Sequence, residues 1–146
     1  MDYNLAFING KLDEMPSILE ALNKWLEKRK AEILSPPIGI IEKYVSEEKS
    51  IFDAERKIGF IFRGNVESYG EIKVEKIREP DFKNVVVAIH RGSYKTLGRT
   101  YIRIFEYLNR NNYKFKLPYR EIYFYEESKK KKNLIEIQIP IEKITH

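Results

Sequence analysis

The chain has 146 residues, 42% of them hydrophobic and 34% charged, which is typical of one compact globular domain and excludes a disordered chain. It contains no cysteine, so disulfides and cysteine-ligated metal sites are excluded. The net charge of +5 comes from interspersed charges of both signs, a pattern that does not favour nucleic-acid binding.

Targeting segments and metal-binding patterns are also missing from the sequence. No apolar run approaches the roughly 18 residues of a membrane span. Residues 1–10 carry no basic segment followed by an apolar run, so no signal peptide is predicted. With only two histidines, a multi-histidine metal site is excluded as well. We therefore expect a soluble, cytoplasmic protein with no cofactor and no metal.

The first half of the chain predicts a strand, a helix and two strands. In chain order these cover residues 3–8, 16–30, 38–43 and 57–63. The helix has an apolar stripe at Leu19, Leu22, Trp25 and Leu26. Residues 65–84 form a connector, in which 71–77 alternates and predicts a further strand.

The second half repeats this order. Residues 85–89 are a β-branched run typical of a buried strand, and strands are predicted again at 120–125 and 134–139. Between the first two of these strands, the helical stripe consists of Leu97, Tyr101, Ile104, Phe105 and Leu108. The basic run 129–132 is predicted to form a solvated hairpin loop, not a nucleic-acid contact.

The two halves align without a gap over residues 6–44 and 88–126, which indicates an internal duplication. The identical pairs are Ala6/Ala88, Gly10/Gly92, Leu26/Leu108, Pro36/Pro118 and Ile40/Ile122. We predict an α+β fold in which duplicated strand–helix–strand–strand units form an antiparallel sheet. Two main helices cover one face, and a ligand cleft lies between the units. The single domain would span 1–146, with unit one at 3–64, the connector at 65–84 and unit two at 85–142.

Several short motifs resemble one known family. Residues 71–77 and 87–94 resemble the lead strand and Gly-x-Tyr turn that open a repeat of the GyrI-like small-molecule-binding domain. Residues 118–123 look like its strand with a recurrent tyrosine, and 136–141 like its closing strand. The family includes effector-binding domains of AraC-type and MerR-type multidrug regulators. The resemblance implies transcription regulation through ligand binding, here by a stand-alone domain without a DNA reader, because only two helices are predicted.

Strand alternation predicts which residues face a common cleft. The side chains predicted to face the helices are Ile122, Phe124, Ile135, Ile137 and Ile139. Those predicted to face the other side are Tyr123, Tyr125, Leu134, Glu136 and Gln138. Four residues of unit one are predicted to lie on that second side: Gly39, Ile41, Gly59 and Ile61.

The second set predicts a ligand cleft with aromatic walls and one acidic anchor. A carboxylate among aromatic rings attracts hydrophobic or cationic ligands, and the resemblance also implies Glu136 as the anchor. Tyr94 is predicted to line one end of the cleft, and Trp25 to reach it from the helix stripe. Three of these residues also have a purely structural interpretation. Glu136 can be a solvated carboxylate, and Tyr123 and Trp25 can be packing residues.

The residues and the resemblance together leave three functions open. The first is a binding module, acting as a sensor, a sequestering protein or a transcription effector. The second, which the resemblance implies, is a hydrolase of drug-like molecules, with Glu136 as general base and Tyr123 orienting water or donating a proton. The third is a protein-partner role such as topoisomerase inhibition, for which the cleft is incidental. The sequence favours the binding module, and it leaves open whether the protein is a monomer or a dimer.

Overall fold

The computed structural model describes residues 3–45, 48–77, 84–126 and 132–145. In these ranges the chain forms nine strands: β1 Asn4–Gly10, β2 Glu32–Ile33, β3 Ile38–Ile41, β4 Arg56–Arg63, β5 Lys73–Lys76, β6 Val85–Arg91, β7 Tyr113–Phe115, β8 Tyr119–Glu126 and β9 Lys132–Lys143. The basic run predicted to be a hairpin loop lies outside the described residues, except for Lys132 at the start of β9.

The same ranges contain three α-helices, α1 Met15–Lys28, α2 Glu48–Asp53 and α3 Leu97–Arg110. A single turn of 3₁₀ helix precedes α1 and another precedes α3. The two long helices confirm the predicted α+β class. The prediction of only two helices was wrong, because α2 forms a short helix inside the loop between β3 and β4. Its six residues are too few to produce a recognisable apolar period.

All strand pairs are antiparallel, and the sheet order is β5-β1-β4-β3-β8-β9-β6. β2 pairs with β4, and β7 pairs with β9. Unit one contributes β1, β4 and β3, unit two contributes β8, β9 and β6, and the two units meet where β3 pairs with β8. The register repeats as well: Ala6 lies opposite Phe60, and the equivalent Ala88 lies opposite Ile137. The duplication predicted from the sequence therefore extends to the strand register.

One face of the sheet, here called the helix face, is covered by α1 and α3. Both helices pack the apolar stripes predicted from the sequence, and Leu22, Leu26, Leu97 and Leu108 are fully buried there. The same core contains Ile58, Phe60 and Phe62 of β4 and Ile135, Ile137 and Ile139 of β9. Burial of each large apolar side chain contributes about 1.5–3 kcal/mol, so this layer provides most of the stability.

The opposite face, here called the open face, carries a second and smaller apolar cluster. Leu5, Phe7 and Ile38 are its buried members, and Lys57 Nζ lies 4.9 Å from the centre of the Phe7 ring. Half-buried isoleucines of β3, β4 and β8 surround this cluster. The two faces are separated by the sheet itself, so any site must be assigned to one of them.

Candidate functional site

The register of β8 corrects the predicted cleft. Tyr123 lies opposite Ile135, and Ile122 lies opposite Glu136. Because directly opposed residues of an antiparallel pair share a face, Tyr123 lies on the helix face and Ile122 on the open face with Glu136. The prediction that Tyr123 and Glu136 line one cleft was wrong, as was the assignment of Ile122 and Phe124 to the helices. β8 is apolar or aromatic on both faces, so hydrophobicity alone cannot fix its orientation.

A different carboxylate, Glu121, lies at the centre of the helix face. Its side chain is 0% exposed. The Tyr123 hydroxyl donates to its Oε1 at 2.6 Å, and the Tyr101 hydroxyl donates to its Oε2 at 2.7 Å. These short bonds are charge-assisted, which makes them among the stronger hydrogen bonds of a protein. Two tyrosines of unit two therefore hold this carboxylate from both sides.

Arg56, the first residue of β4 in unit one, forms a buried ion pair with Glu121. Its Nε lies 2.8 Å from Oε1, an ion-pair contact without good hydrogen-bond alignment, and Nη2 donates to Oε2 at 3.3 Å. The remaining guanidinium protons are directed at the end of α2. Nη1 donates to the carbonyl of Ala54 at 2.8 Å, and Nη2 to that of Ile51 at 3.0 Å. The site therefore combines charged groups from both units.

Burial and the neighbouring charges together set the ionisation of Tyr101, Tyr123 and Arg56. Burial, followed by the charge of Glu121, raises the pKa of Tyr101 and of Tyr123 well above the ordinary phenol value. Burial alone would lower the pKa of Arg56, but Glu121, Tyr123 and Tyr101 together outweigh burial, so the pKa is raised. At neutral pH the tyrosines are neutral donors and Arg56 is a cation. Both oxygens of Glu121 therefore accept hydrogen bonds from side chains of the protein.

The two glycines of unit one play different parts. Gly39 lies on the helix face opposite Glu121, where the units meet, and a Cβ there would overlap the Tyr123 hydroxyl. Gly59 lies on the open face in β4, and a Cβ there would overlap the backbone carbonyl of Ala6 in β1. Gly39 was therefore wrongly placed on one side with Gly59. Gly59 permits a close approach of two strands within unit one.

A row of aromatic rings connects this carboxylate with the surface. Tyr44 is exposed and stacks on Phe115 with ring centroids 5.4 Å apart, and Phe115 lies 4.6 Å from Phe105. Phe105 lies 5.9 Å from Tyr119, which lies 5.9 Å from Tyr101. The Tyr119 hydroxyl is buried and has no hydrogen-bond partner within the described part of the chain. Burial, followed by the nearby Tyr44, raises its pKa.

The remaining predicted site residues are divided between the faces. Glu136 and Gln138 are half-buried on the open face, where the Gln138 amide donates to Glu136 at 2.8 Å. Ile61 shares that face, opposite Leu5. Ile41 is buried on the helix face opposite Tyr119, and was wrongly placed with Ile61.

Three residues complete the predicted set. Trp25 is buried in the helix-face core, with the Arg29 guanidinium 4.2 Å from its ring centre. Tyr94 lies beside Tyr123, with ring centroids 6.2 Å apart. The backbone of Tyr125 belongs to β8, but its side chain lies outside the described residues.

Sequence reasoning missed Glu121, Tyr101 and Arg56 as site residues. The signal for Glu121 was present in β8, because Tyr119, Glu121 and Tyr123 alternate and must share a face. Tyr101 had been recognised only as a core aromatic of the helix stripe. Arg56 had no sequence signal, since nothing local indicates that a residue 65 positions before Glu121 is its counterion.

Over 3–45, 48–77, 84–126 and 132–145, no three side chains of the His, Cys, Asp or Glu type are grouped so that they could hold a metal ion. No helix in those ranges has the length and apolar composition that a membrane crossing needs.

Solved structures with a similar fold include the crystal structure of the EcmrR C-terminal domain. The TM-score is 0.70 at 19% identity, and the match covers 98% of this chain and 91% of that chain. EcmrR in a cryo-EM structure of an EcmrR–DNA complex gives a TM-score of 0.71 at 20% identity. That match covers 98% of this chain and 54% of that one, so the chain spans about half the length of that EcmrR.

A third similar structure is an uncharacterized conserved protein from Listeria innocua, with a TM-score of 0.59 at 12% identity. That match covers 97% of this chain and 88% of that chain. At these identities the likeness concerns the fold alone. The search of curated proteins found no match. The family model described as a GyrI-like small molecule binding domain, however, matches residues 3–142. The chain therefore belongs to the GyrI-like small-molecule-binding domain family.

Proposed function

We propose that this chain binds a flat, hydrophobic small molecule with a cationic group on the helix face, and that Glu121 is its polar anchor. The observation that carries the proposal is the fully buried carboxylate at the junction of the two units, held by the hydroxyls of Tyr101 and Tyr123. A charged group is costly to bury, and buried titratable groups with specific partners are more common at functional sites than elsewhere.

The aromatic row supports a ligand with a flat ring system. Tyr44, Phe115, Phe105 and Tyr119 lead from an exposed ring to the buried end beside Tyr101. Such faces bind flat rings and cations well. The buried Tyr119 hydroxyl lacks a partner in the described ranges, and an unsatisfied buried group costs about 1–3 kcal/mol. A ligand oxygen or nitrogen beside it would recover that cost.

Arg56 determines how a cationic ligand would reach Glu121. It neutralises the carboxylate, so a ligand cation must compete with it. Arg56 also donates to the carbonyls of Ile51 and Ala54, and these bonds can persist when Glu121 changes partner. We therefore expect Arg56 to act as an internal competitor that weakens the binding of cationic ligands more than that of neutral ligands.

The experiment is a fluorescence titration of a flat cationic dye and of a neutral dye with the same ring system. Glu121→Gln removes the anchor charge, and Glu136→Gln is the matched control on the open face. We expect Glu121→Gln to weaken the cationic dye about tenfold or more, since a charged hydrogen bond contributes about 1.5–3 kcal/mol. We expect Glu136→Gln to change the affinity less than about twofold.

A second variant covers the case in which Glu121→Gln does not fold. Tyr119→Phe removes a hydroxyl that lacks a partner in the described ranges, so it should fold normally and still weaken ligands that bind this hydroxyl. Loss of binding in Glu136→Gln alone would assign the ligand to the open face and contradict the proposal. Failure of every dye to bind wild type at high micromolar concentration would contradict the cationic ligand class.

The fold likeness to the C-terminal domain of EcmrR, a protein solved in complex with DNA, supports a sensor role in transcription control. In that role, occupancy of the Glu121 site would be the signal. The test is whether adding the dye changes the affinity of this domain for a regulator or DNA-bound partner. An affinity that is equal with and without bound dye would contradict the sensor role, because a ligand shifts an equilibrium only by its differential affinity for the two states.

The hydrolase hypothesis receives less support. It required Glu136 beside Tyr123, and these residues lie on opposite faces of the sheet. Glu121 is the alternative base, but tyrosine hydroxyls and Arg56 already occupy both of its oxygens. A general base must reach the proton that it removes directly or through one water, and Glu121 is fully buried among these three partners. The arrangement therefore favours binding over turnover.

A further inference from the structure

The first strands of the two units, β1 and β6, are equivalent but have different surroundings. β1 lies between β4 and β5, whereas β6 pairs with β9 and has no second neighbour among the described strands. The duplication makes Val86–Ile89 the counterparts of Asn4–Phe7, the residues to which β5 pairs. Unit two therefore lacks the added strand that unit one has.

The exposed fractions of the side chains show the same difference between β1 and β6. Leu5 and Phe7 are 3% and 2% exposed, and their counterparts Val87 and Ile89 are 53% and 46% exposed. All four belong to the open face. An apolar position that is buried in one copy and exposed in the other indicates a surface that is suited to being covered.

At Val87 and Ile89, the backbone N–H and C=O groups of β6 also point away from β9, toward the outer edge of the sheet. The carbonyl of Asn84 accepts from Ile141, and the N–H of Gly92 donates to Asn133, so even-numbered residues bond to β9. By strand alternation, the N–H and C=O groups of Val85, Val87 and Ile89 point to the outer edge. In β1 the equivalent direction is occupied, since the carbonyl of Tyr3 accepts from Ile77.

The two edges of the sheet also differ in charge. The outer strand β5 carries Lys73, Glu75 and Lys76, all exposed. Charged side chains of this kind protect an edge from pairing with another chain. The β6 segment from Val85 to Ile89 carries no charge and has high β-propensity. One edge is therefore protected, and the other is suited to strand addition.

We propose that the outer edge of β6 binds β6 of a second copy of this chain, antiparallel about a two-fold axis at Val87. Val87 then lies opposite itself and Val85 opposite Ile89, so the outward backbone groups match in pairs. The lack of charge from Val85 to Ile89 favours this occupant, because the segment meets its own copy without opposed like charges. The charged β5 edge cannot repeat the contact, so the assembly closes as a dimer.

The first test uses the absence of cysteine from the natural chain. In the proposed dimer the two Val87 positions form a hydrogen-bonded pair with Cα atoms about 5.5 Å apart, within the range that a disulfide spans. Oxidised Val87→Cys should run as a covalent dimer on a non-reducing gel, and Lys73→Cys on the protected edge should remain monomeric. Equal cross-linking of the two variants, or none in either, overturns the proposal.

The second test measures mass in solution by light scattering. At about 100 µM protein, well above a micromolar Kd, wild type should have twice the 17.4 kDa mass of one chain. Val87→Thr, which keeps the strand propensity, should remain dimeric, and Val87→Lys should be monomeric with unchanged circular dichroism. A monomeric wild type, including one whose β6 edge binds a different protein, overturns the proposal, as does a dimeric Val87→Lys.

Discussion

Glu121 and Glu136 lie on neighbouring strands of unit two, yet they belong to different environments. Glu121 is fully buried on the helix face and has Arg56, Tyr101 and Tyr123 as partners. Glu136 is half-buried on the open face, and the amide of Gln138 donates to it. The comparison teaches that the face of the sheet, and not proximity in sequence to aromatic residues, decides whether a carboxylate is a candidate anchor.

The largest expected difference between the two carboxylates is in stability. Glu121→Leu leaves Arg56 buried without its counterion, which costs about 3–5 kcal/mol. The double variant Arg56→Met/Glu121→Leu should be less destabilised than Glu121→Leu, because the unpaired charge is gone. Urea unfolding measures both, and Glu136→Leu is the matched control on the open face. Similar losses in the free energy of unfolding for Glu121→Leu and Glu136→Leu would contradict the difference between the two carboxylates.

A smaller effect is expected at Gly39, opposite Glu121. The new Cβ of Gly39→Ala would overlap the Tyr123 hydroxyl and displace it from the carboxylate. Overpacking of this kind costs about 1–3 kcal/mol. Tyr123→Phe removes the overlapping oxygen, so the double variant should recover part of the loss. A double-mutant cycle from thermal unfolding measures this coupling, and strictly additive effects would contradict the contact.

Alkaline pH provides a third comparison. Burial, followed by the charge of Glu121, raises the pKa of Tyr123 above 10.0. The folded protein keeps this proton where the unfolded chain loses it, so its stability is complete below about pH 10 and falls as pH rises further. Each such tyrosine contributes a slope of about 1.4 kcal/mol per pH unit. The free energy of unfolding, measured with urea at several pH values above 10, should fall less steeply with pH in Tyr123→Phe, by about that amount. An equal slope in wild type and variant would contradict the prediction.

The smallest effect is expected on the open face. Glu136→Gln keeps the shape of the side chain and removes a charge that the structure only half-buries. The free energy of unfolding should change by less than about 0.5 kcal/mol, as for most surface substitutions. Chemical unfolding of wild type and variant side by side measures the difference. A loss of several kcal/mol would show that Glu136 has a structural partner of importance comparable to that of Glu121.

Most of the fold could be predicted because its signals are local and repeated. The stripe of α3 and the β-branched run of β6 each indicate one element, and the Ala6/Ala88 alignment indicates the duplication. The helix α2 was missed because its six residues are held by tertiary contacts, among them the bond of Arg56 to the carbonyl of Ile51.

The site could be predicted only in part, because it depends on the orientation of β8. That strand places Ile122 and Phe124 on one face and Tyr119 and Tyr123 on the other, so both orientations satisfy the hydrophobic pattern. The carboxylate Glu121 decides between them once its buried partners are known. Arg56 and Tyr101 come from elsewhere in the chain, and no local pattern in β8 specifies them.

The most direct measurement of the central claim is a crystal structure of this domain with a flat cationic dye bound. We expect the dye on the helix face, with its charged group within about 4–6 Å of the Glu121 carboxylate. Its rings should lie against the aromatic side chains that lead from Tyr44 to Tyr101. A dye bound on the open face beside Glu136, with Arg56 and Glu121 still paired, would contradict the assignment of Glu121 as the anchor.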